Sequence, residues 1–362
     1  MKILSAEYFP IAPTVDTDSL TLITSILVNR QLRDRFDVLN KYSNVRWASG
    51  SDTVPTPIAT PMVDLLDEHA TSVIQQYDGD ASKPMVVLWS GGVDSTTIIC
   101  ALLKNGAKNV KVLCSKDSIE EYPWFFENVV KKLPYTVSAT VPTDMRTIPA
   151  SAIVTGWCAD QLFGSNVHLR NLGTYNCSVQ EGVLWHWKRS HPGGILAQSA
   201  LDTVDARINE LGTKLGVKIE QFCEFAWLVN FAIKWTLVRD VLKFDLFGSA
   251  NQGKGIAFFD HQPFCNWAIG RFDGLRERNV NKEVRYYKRA FKEYIYDYTK
   301  DADYLQKKGK ENSWGRNVKP PVRDKLLIIT DEGWKRYRST NGTSFHNLAI
   351  TVGNLFRKNP LV

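Results

Sequence analysis

One segment of the chain, residues 85–106, strongly limits how the polypeptide can fold. Residues 85–89 form an apolar run of the kind found in parallel strands that are buried on both faces. Gly91 and Gly92 follow this run, and residues without a Cβ atom permit a sharp turn and a close approach of the backbone to a ligand. Residues 94–97 then open a helix with an apolar inner face. This succession of strand, turn and helix predicts an α/β fold.

The turn has the chemistry of a phosphate-binding loop. Backbone N–H groups, two hydroxyl groups and the positive end of the helix dipole converge on one point in such an arrangement. We expect phosphates to contact Ser90, Gly91, Gly92, Asp94 and Ser95. The segment lacks the Lys-Ser/Thr ending of a Walker A loop, so a typical kinase or GTPase site does not fit. A turn of this kind that binds no ligand is the alternative.

The string Ser-Gly-Gly-Val-Asp-Ser at residues 90–95, placed after a buried strand, resembles the PP-loop of the ATP pyrophosphatase superfamily. Those enzymes split ATP into AMP and pyrophosphate in order to activate a substrate. The resemblance implies a doubly wound parallel sheet followed by a mainly helical C-terminal part. It also implies that Leu88 and Cys114, at the ends of two neighbouring strands, flank the adenine ring through backbone contacts.

A second motif narrows the resemblance to one branch of the superfamily. Residues 152–154 form a short apolar strand, which the segment Thr-Gly-Trp-Cys-Ala-Asp-Gln-Leu-Phe-Gly-Ser follows at residues 155–165. This segment resembles the Ser-Gly-x-Gly-Ala/Ser-Asp-Glu-x-Phe-Gly-Gly motif in the synthetase domain of asparagine synthetases and β-lactam synthetases. The resemblance implies that Thr155 and Gly156 contact the nucleotide.

Two aspartates are candidates for holding the magnesium ion that a triphosphate requires. Magnesium prefers oxygen ligands in near-octahedral geometry. Asp94 and Asp160 each follow the carboxyl end of a predicted strand, so they could hold one metal ion from two sides. We therefore predict that both are metal ligands and catalytic residues, with ATP and Mg²⁺ as the cofactors.

Two later segments continue the resemblance in the same order. Residues 255–261 are similar to the family's Arg-Val-Pro-Phe-Leu-Asp stretch, and residues 286–291 followed by residues 305–310 look like its helix and its Arg-x-Lys-x-x-Phe loop. In that loop a lysine neutralises charge on the phosphates and on the adenylated intermediate. The resemblance implies this role for Lys308, with Lys310 in reserve. A solvated basic loop is the alternative.

Two residues depart from the family motif. Trp157 stands where the family has its catalytic glutamate, and Gln161 replaces a later acidic residue. If that glutamate orients or deprotonates an attacking amine, this chain does so differently, and its acceptor or nucleophile differs from aspartate and ammonia. The indole of Trp157 either forms the floor of a substrate pocket or packs against its neighbours.

The N-terminal part lacks the cysteine that heads the glutaminase domain of glutamine-hydrolysing asparagine synthetases. No cysteine occurs before Cys100, and too few residues precede the first motif for that domain. We therefore expect nitrogen from free ammonia, from an amine on a substrate or from another protein.

The predicted domains are an N-terminal extension of unknown role (1–61), a PP-loop ATP-binding core (62–170) and a mainly helical remainder with the catalytic lysine (171–362). Residues 173–194 are predicted to form a loop or lid beside the active site.

Composition limits the remaining classes of protein. The chain has 362 residues, of which 44% are hydrophobic and 23% charged, enough for a sizeable core. No apolar run approaches the length of a membrane span, and no signal-peptide core is present, so we expect a cytoplasmic protein with no membrane partner. Six scattered cysteines without a Cys-x-x-Cys pair argue against a disulfide framework or structural zinc.

Basic residues are concentrated in residues 276–325. This stretch holds fifteen Lys/Arg against eight Asp/Glu, a surplus of seven that equals the formal net charge of the whole chain. We interpret the surplus as a basic rim around a triphosphate and its pyrophosphate product. A surface that docks nucleic acid is the alternative.

Together these patterns predict an AMP-forming carbon-nitrogen ligase that makes an amide through an acyl-adenylate and releases pyrophosphate. The expected substrates are a small-molecule or nucleotide-linked carboxylate and ammonia or an amine. Two other functions stay open. One is a PP-loop enzyme that modifies a nucleobase in DNA or RNA; the other is a nucleotide-binding protein with a degraded catalytic site, which Trp157 and Gln161 would indicate.

Overall fold

The protein is described by a computed structural model that covers residues 2–6, 34–38, 52–80, 82–138, 148–164, 177–190, 198–240, 255–272, 288–308, 325–330 and 333–338. Its strands are β1 (Lys2–Ala6), β2 (Met85–Leu88), β3 (Val110–Cys114), β4 (Tyr135–Val137), β5 (Ala152–Thr155), β6 (Gly255–Ala257), β7 (Lys325–Thr330) and β8 (Gly333–Arg338). Its α-helices are α1 (Met62–Tyr77), α2 (Val93–Lys104), α3 (Lys116–Glu121), α4 (Pro123–Asn128), α5 (Ala159–Phe163), α6 (Val179–Ser190), α7 (Gln198–Leu215), α8 (Phe222–Val229), α9 (Trp235–Asp240), α10 (Gln262–Gly270), α11 (Arg289–Thr299) and α12 (Ala302–Lys307). Within these ranges, no helix has the length and apolar character needed to cross a membrane.

The chain divides into two compact units. The parallel-sheet unit comprises Pro55–Val167 and Val238–Lys319, and the antiparallel-sheet unit comprises Met1–Val54, His168–Leu237 and Pro320–Val362. All three predicted catalytic residues belong to the parallel-sheet unit. The domain boundaries predicted from the sequence are functional ones, and they stay a prediction.

The parallel-sheet unit is built on five strands in the order β4-β3-β2-β5-β6, and every neighbouring pair is parallel. Met85 of β2 pairs with Val110 of β3 on one side and with Ala152 of β5 on the other. Strands β2 and β5 are buried, as their continuous apolar sequences predict. The predicted α/β fold with a parallel sheet is thereby confirmed.

The strand order reverses between β2 and β5. From β2 the chain adds β3 and then β4 towards one edge, and it returns to the other side of β2 to add β5 and β6. Ligands of open α/β sheets bind outside the carboxyl ends of the strands at such a switch point. The turn at Gly91 and Gly92 follows β2, and the turn at Gly156 follows β5, so both predicted motifs lie there.

Helix α2 is packed into the core, and a glycine ends it. The helix is buried from Ser95 to Leu102. Gly106 lies two positions after its last residue, Lys104, and has φ of +86°, and the N–H of Ala107 donates to the Leu102 carbonyl at 3.0 Å. The helix and the glycine stop predicted after the first motif are therefore confirmed.

The antiparallel-sheet unit contains a second sheet, in the order β1-β7-β8. Lys2 of β1 pairs with Ile329 of β7, and Lys325 of β7 pairs with Arg338 of β8. Helices α6, α7 and α8 belong to the same unit. The C-terminal part is thus not only helical, because it contributes β7, which pairs with the first described residues of the chain, and β8, which pairs with β7.

Residues 173–194, predicted as a loop or lid, contain helix α6, so this prediction is wrong. Ser178 and Glu181 cap the helix: the Ser178 N–H donates to Glu181 Oε2 at 2.8 Å, and the Glu181 N–H donates to Ser178 Oγ at 3.3 Å. Gly182 does not break the helix. A Cβ there would overlap the Phe222 ring, so the glycine permits close packing of α6 against α8.

His69 of α1 is stacked on His261 in an apolar setting. The centroids of the two rings lie 4.2 Å apart, and the His69 ring meets the rings of Phe258 and Phe264 edge-on at centroid distances of 4.6 Å and 5.5 Å. Burial, and then the charge of His261, lower the pKa of His69 to about 3. The folded protein therefore keeps this imidazole neutral at pH values where the unfolded chain protonates it.

Acid is expected to destabilise the fold through this histidine pair. As the pH falls from 6.5, the unfolded chain binds a proton at His69 that the folded protein does not bind until about pH 3. From about pH 8 to about pH 5, this difference removes about 2 kcal/mol from the free energy of unfolding. Urea unfolding at both pH values should show that extra loss in the wild type and not in His69→Phe. Equal losses in the two proteins would contradict the assignment.

Candidate active site

The glycine turn after β2 is preorganised by its own hydroxyl groups. Ser95 Oγ accepts the Ser90 N–H at 3.0 Å, and Ser90 Oγ accepts the Gly92 N–H at 3.3 Å. Trp89, which precedes the turn and is fully buried, donates its indole N–H to Thr96 Oγ1 at 3.0 Å. Among the described residues, no side chain caps the start of α2. A rigid turn before an uncapped helix leaves backbone N–H groups for an anion.

Gly91 is required by the close approach of helix α3. Its φ is +78°, and a Cβ there would collide with the Ser118 carbonyl oxygen and lie 2.8 Å from Glu121 Cβ. A Cβ on Gly92 would lie 3.5 Å from Glu121 Oε1. Helix α3 therefore brings the carboxylate of Glu121 to the side of the turn, which no sequence motif had indicated.

Gly156 allows the second motif to touch the first. A Cβ on Gly156 would lie 2.8 Å from Asp94 Cβ and 3.2 Å from the Ser95 nitrogen. Thr155, the last residue of β5, is buried and donates its hydroxyl to the Ile256 carbonyl at 3.2 Å. The turn after β5 thus lies against the start of α2, while nucleotide contacts of Thr155 and Gly156 stay a prediction.

Asp94 and Asp160 meet at the ammonium group of Lys288. Lys288 Nζ lies 2.5 Å from Asp94 Oδ1, 2.6 Å from Asp94 Oδ2 and 2.6 Å from Asp160 Oδ1. The lysine side chain is 5% exposed, whereas the aspartate side chains are 25% and 32% exposed. Burial lowers the pKa of Lys288, but the charges of Asp160 and Asp94 outweigh burial and raise it above its ordinary value. The two carboxylates therefore share one cation.

The carboxylate pair fits a magnesium ion that arrives with a triphosphate. In the part of the chain that the structure describes, no group of three or more His, Cys, Asp or Glu side chains could hold a metal ion. Magnesium is usually bound by one or two carboxylates, with phosphate and water oxygens as the other ligands. Asp94 and Asp160 already direct oxygens at one cation, as two such ligands would. Their role as metal ligands stays a prediction.

Lys308, the predicted catalytic lysine, pairs with Glu121. Lys308 Nζ lies 2.9 Å from Glu121 Oε1, and the two side chains are only 7% and 3% exposed. The other carboxylate oxygen, Oε2, is buried and has no hydrogen-bond partner among the described residues. Because Glu121 borders Gly92, this ion pair places Lys308 beside the glycine turn rather than in a solvated loop. Lys310 lies outside the described residues.

A third buried lysine, Lys292, connects the two ion pairs. It lies one turn after Lys288 on helix α11, and its Nζ donates to the Lys308 carbonyl at 2.7 Å. Burial, followed by the charges of Arg289, Lys308 and Lys288, lowers the pKa of Lys292 to about 8. Contacts among the described residues thus link three buried lysines and three carboxylates at this site.

Leu88 and Cys114, the predicted flanks of the adenine ring, lie at the ends of adjacent strands. Leu88 pairs with Leu113 in the register of β2 and β3, next to Cys114. The Cys114 carbonyl accepts the Ser138 N–H at 2.8 Å. Burial raises the pKa of the Cys114 thiol to about 11, so the thiol stays protonated and is not a nucleophile. Contact of these residues with adenine stays a prediction.

Trp157 and Gln161 supply no acid or base to the site. Trp157 is half-buried, and both it and Leu88 pack against an apolar cluster. That cluster consists of Val86, Leu113, Ala150 and Ile153. Gln161 is buried. The indole therefore packs against its neighbours, and Glu121 supplies a buried carboxylate from a different part of the chain.

Neither a comparison with models of known protein families nor a search of curated proteins finds a match for this chain. The motifs and the geometry of the site are therefore what point to a function.

The site can neutralise and orient a polyphosphate, and sequence reasoning missed Lys292 and two members of the ion pairs, Lys288 and Glu121. Lys288 lies within residues 286–291, the segment that resembles the family's helix. The resemblance therefore pointed to this segment but implied no role for Lys288. Glu121 ends a six-residue helix that carries no motif, and no signal pointed to it. Lys288 and Glu121 are joined to the predicted residues through ion pairs between distant parts of the chain.

Proposed function

We propose that the protein is an ATP-dependent, AMP-forming carbon-nitrogen ligase with a PP-loop-like fold. The observation that carries the proposal is the meeting of Asp94 and Asp160 at one cation. These carboxylates follow two strands at the switch point of the sheet, beside a glycine turn that precedes an uncapped helix. A metal-bound triphosphate is the ligand that such a combination of groups supports best.

Each group at the site has a distinct task in this proposal. The N–H groups of the turn bind phosphate oxygens, and the helix dipole adds to the attraction. Asp94 and Asp160 would hold Mg²⁺, which supplies charge neutralisation when it is bound. Lys308, held in place by Glu121, stabilises the negative charge that develops on the departing pyrophosphate.

The carboxylate substrate attacks the α-phosphorus of ATP, and an amine or ammonia then displaces AMP from the acyl-adenylate. Alignment of the reactants beside a fixed phosphate chain supplies much of the expected rate enhancement. Leu88 and Trp157 are half-buried and pack against the same apolar cluster, near the carboxyl ends of the central strands. Their exposed atoms would contact the less polar part of the bound molecules.

A second candidate function is nucleotide binding without catalysis. Lys288 lies between the two predicted metal ligands, which favours a site that no longer needs a metal. The absence of acidic groups at Trp157 and Gln161 agrees with this candidate. The buried pair of Lys308 and Glu121 favours the enzyme, because two charges are costly to bury without a task.

A pyrophosphate-release screen separates these candidates. Amino acids, other small carboxylates and nucleic acids would each be offered with ATP, with and without ammonium. We expect carboxylate-dependent release of pyrophosphate, with AMP as the nucleotide product. ADP as the product would contradict the proposal, nucleotide binding without release would favour the second candidate, and dependence on nucleic acid would favour a nucleobase-modifying enzyme.

Lys308→Met is expected to lower the rate of pyrophosphate release by about 100-fold or more, since one donor to a developing anion is lost. Lys307→Met is the matched control, because Lys307 is 72% exposed and pairs with the exposed Asp303. Its rate should equal that of the wild type. In the double variant Glu121→Gln/Lys308→Met, no carboxylate is left buried without its cation, so this variant should fold. If it folds and is still inactive, misfolding is not the cause of the lost activity. Equal rates for the Lys308 and Lys307 variants would contradict the assigned role.

A further inference from the structure

We propose that Lys288 is an internal counter-cation that competes with a divalent metal ion for Asp94 and Asp160, and that a metal ion displaces it only together with a triphosphate. The inference rests on the proposed function, because it concerns how the same site is loaded. It goes further in giving the site a built-in preference for the metal–nucleotide complex over the free metal.

The ammonium group and a metal ion need the same oxygens. Both oxygens of Asp94 and one oxygen of Asp160 lie within 2.6 Å of Lys288 Nζ. Magnesium binds carboxylate oxygens at about 2.0–2.1 Å, so a metal ion on these oxygens would lie within about 5 Å of the ammonium nitrogen. Two cations repel strongly at that distance where water is largely excluded, and Lys288 is only 5% exposed.

The backbone of Lys288 is fixed, so its displacement requires only a rotation of the side chain. Lys288 has left-handed φ and ψ values of 55° and 33° immediately before helix α11. Its carbonyl accepts the N–H of Phe291 at 3.0 Å and the N–H of Lys292 at 3.1 Å. These bonds hold the residue to the first turn of the helix, while the flexible four-carbon side chain can redirect the ammonium group.

The surrounding charges favour an exchange in which the triphosphate takes part. An ammonium group displaced by a metal alone would stay near Lys292 and Lys308, two further buried cations. The charges of Lys308 and Lys288 already contribute to the lowered pKa of Lys292, so these groups interact. A triphosphate supplies the anionic oxygens that the displaced ammonium group needs. The metal ion and the nucleotide should therefore bind cooperatively.

Titration with Mn²⁺, followed by electron paramagnetic resonance of the free ion, tests the proposal without any turnover. In the absence of nucleotide, we expect Lys288→Met and Lys288→Gln to bind Mn²⁺ at least about tenfold more tightly than the wild type, a typical coupling between two sites. Adding Asp160→Asn to either variant should remove the gain. Lys300→Met is the matched control, because Lys300 shares the left-handed backbone and an aspartate partner but is 68% exposed.

The outcomes separate this inference from the proposed function. If folded Lys288→Met and Lys288→Gln bind Mn²⁺ no more tightly than the wild type, Lys288 does not compete with metal and the inference is overturned. A gain confined to the Lys288 variants supports it, even if no substrate in the pyrophosphate screen is turned over. Pyrophosphate release together with unchanged Mn²⁺ affinity would leave the proposed function standing and the counter-cation role refuted.

Discussion

Replacement of both Asp94 and Asp160 by asparagine is expected to lower the free energy of unfolding by about 3 kcal/mol or more. Both carboxylates contact the ammonium group of Lys288, which is 5% exposed. Their removal leaves a buried positive charge without the two negative charges beside it, and this costs more than the loss of an exposed ion pair. Urea unfolding monitored by circular dichroism measures the difference.

Two further variants show whether Lys288 is the cause. Adding Lys288→Met to the double asparagine variant removes the buried charge, so most of the lost stability should return. Asp297→Asn breaks the exposed pair with Lys300 and should leave the stability unchanged. If the triple variant is as unstable as the double variant, the lost stability does not come from the uncompensated ammonium group.

Gly91→Ala is expected to destabilise the protein by about 3 kcal/mol and to abolish nucleotide binding. Two separate costs combine here. The φ of +78° disfavours any residue with a Cβ, and that Cβ would also collide with the Ser118 carbonyl and crowd Glu121. Relief requires movement of the turn or of helix α3, and either movement displaces the N–H groups that would bind phosphate.

Gly106→Ala isolates the first of these costs. Gly106 has φ of +86°, but a Cβ there would have no heavy atom within 4 Å. We expect a loss of about 1 kcal/mol from the left-handed backbone alone, and unchanged binding of a nonhydrolysable ATP analogue measured by calorimetry. Similar losses of stability and of binding in both variants would show that the close approach of α3 is unimportant.

The sequence predicts those parts of the fold that local patterns determine. The apolar runs at residues 85–89 and 152–154 correspond to strands β2 (Met85–Leu88) and β5 (Ala152–Thr155), because a short apolar run between turns is typical of a buried strand. Helix α6 was missed, although Ser178 and Glu181 have the spacing of a capping box. Within it, Gly182 serves close packing against Phe222, and in sequence such a glycine looks the same as one that breaks a helix.

The predicted site is incomplete because ion pairs between distant residues leave no periodic signal. Lys288 and Asp94 are 194 positions apart, and Lys308 and Glu121 are 187 positions apart. The motifs predict that Asp94, Asp160 and Lys308 belong to one site, but they do not predict the groups that neutralise these charges. Those groups follow from the tertiary packing of α3 and α11 around the switch point.

The charge surplus of residues 276–325 shows a related limit. Counting charges treats every lysine as exposed, yet Lys288, Lys292 and Lys308 are all buried. Most other cations of the stretch lie outside the described residues, so the basic rim stays a prediction. Three of its charges nevertheless belong to the interior of the site rather than to a surface.

A crystal structure with magnesium and α,β-methylene-ATP tests the central claim most directly, which is that one metal-bound triphosphate bridges the two motifs. We predict phosphate oxygens at the glycine turn and on the first N–H groups of α2, a metal ion in contact with Asp94 and Asp160, and the Lys288 ammonium group moved onto the phosphates. A nucleotide bound elsewhere in the protein, or Lys288 still between both carboxylates at saturating analogue, would contradict the claim.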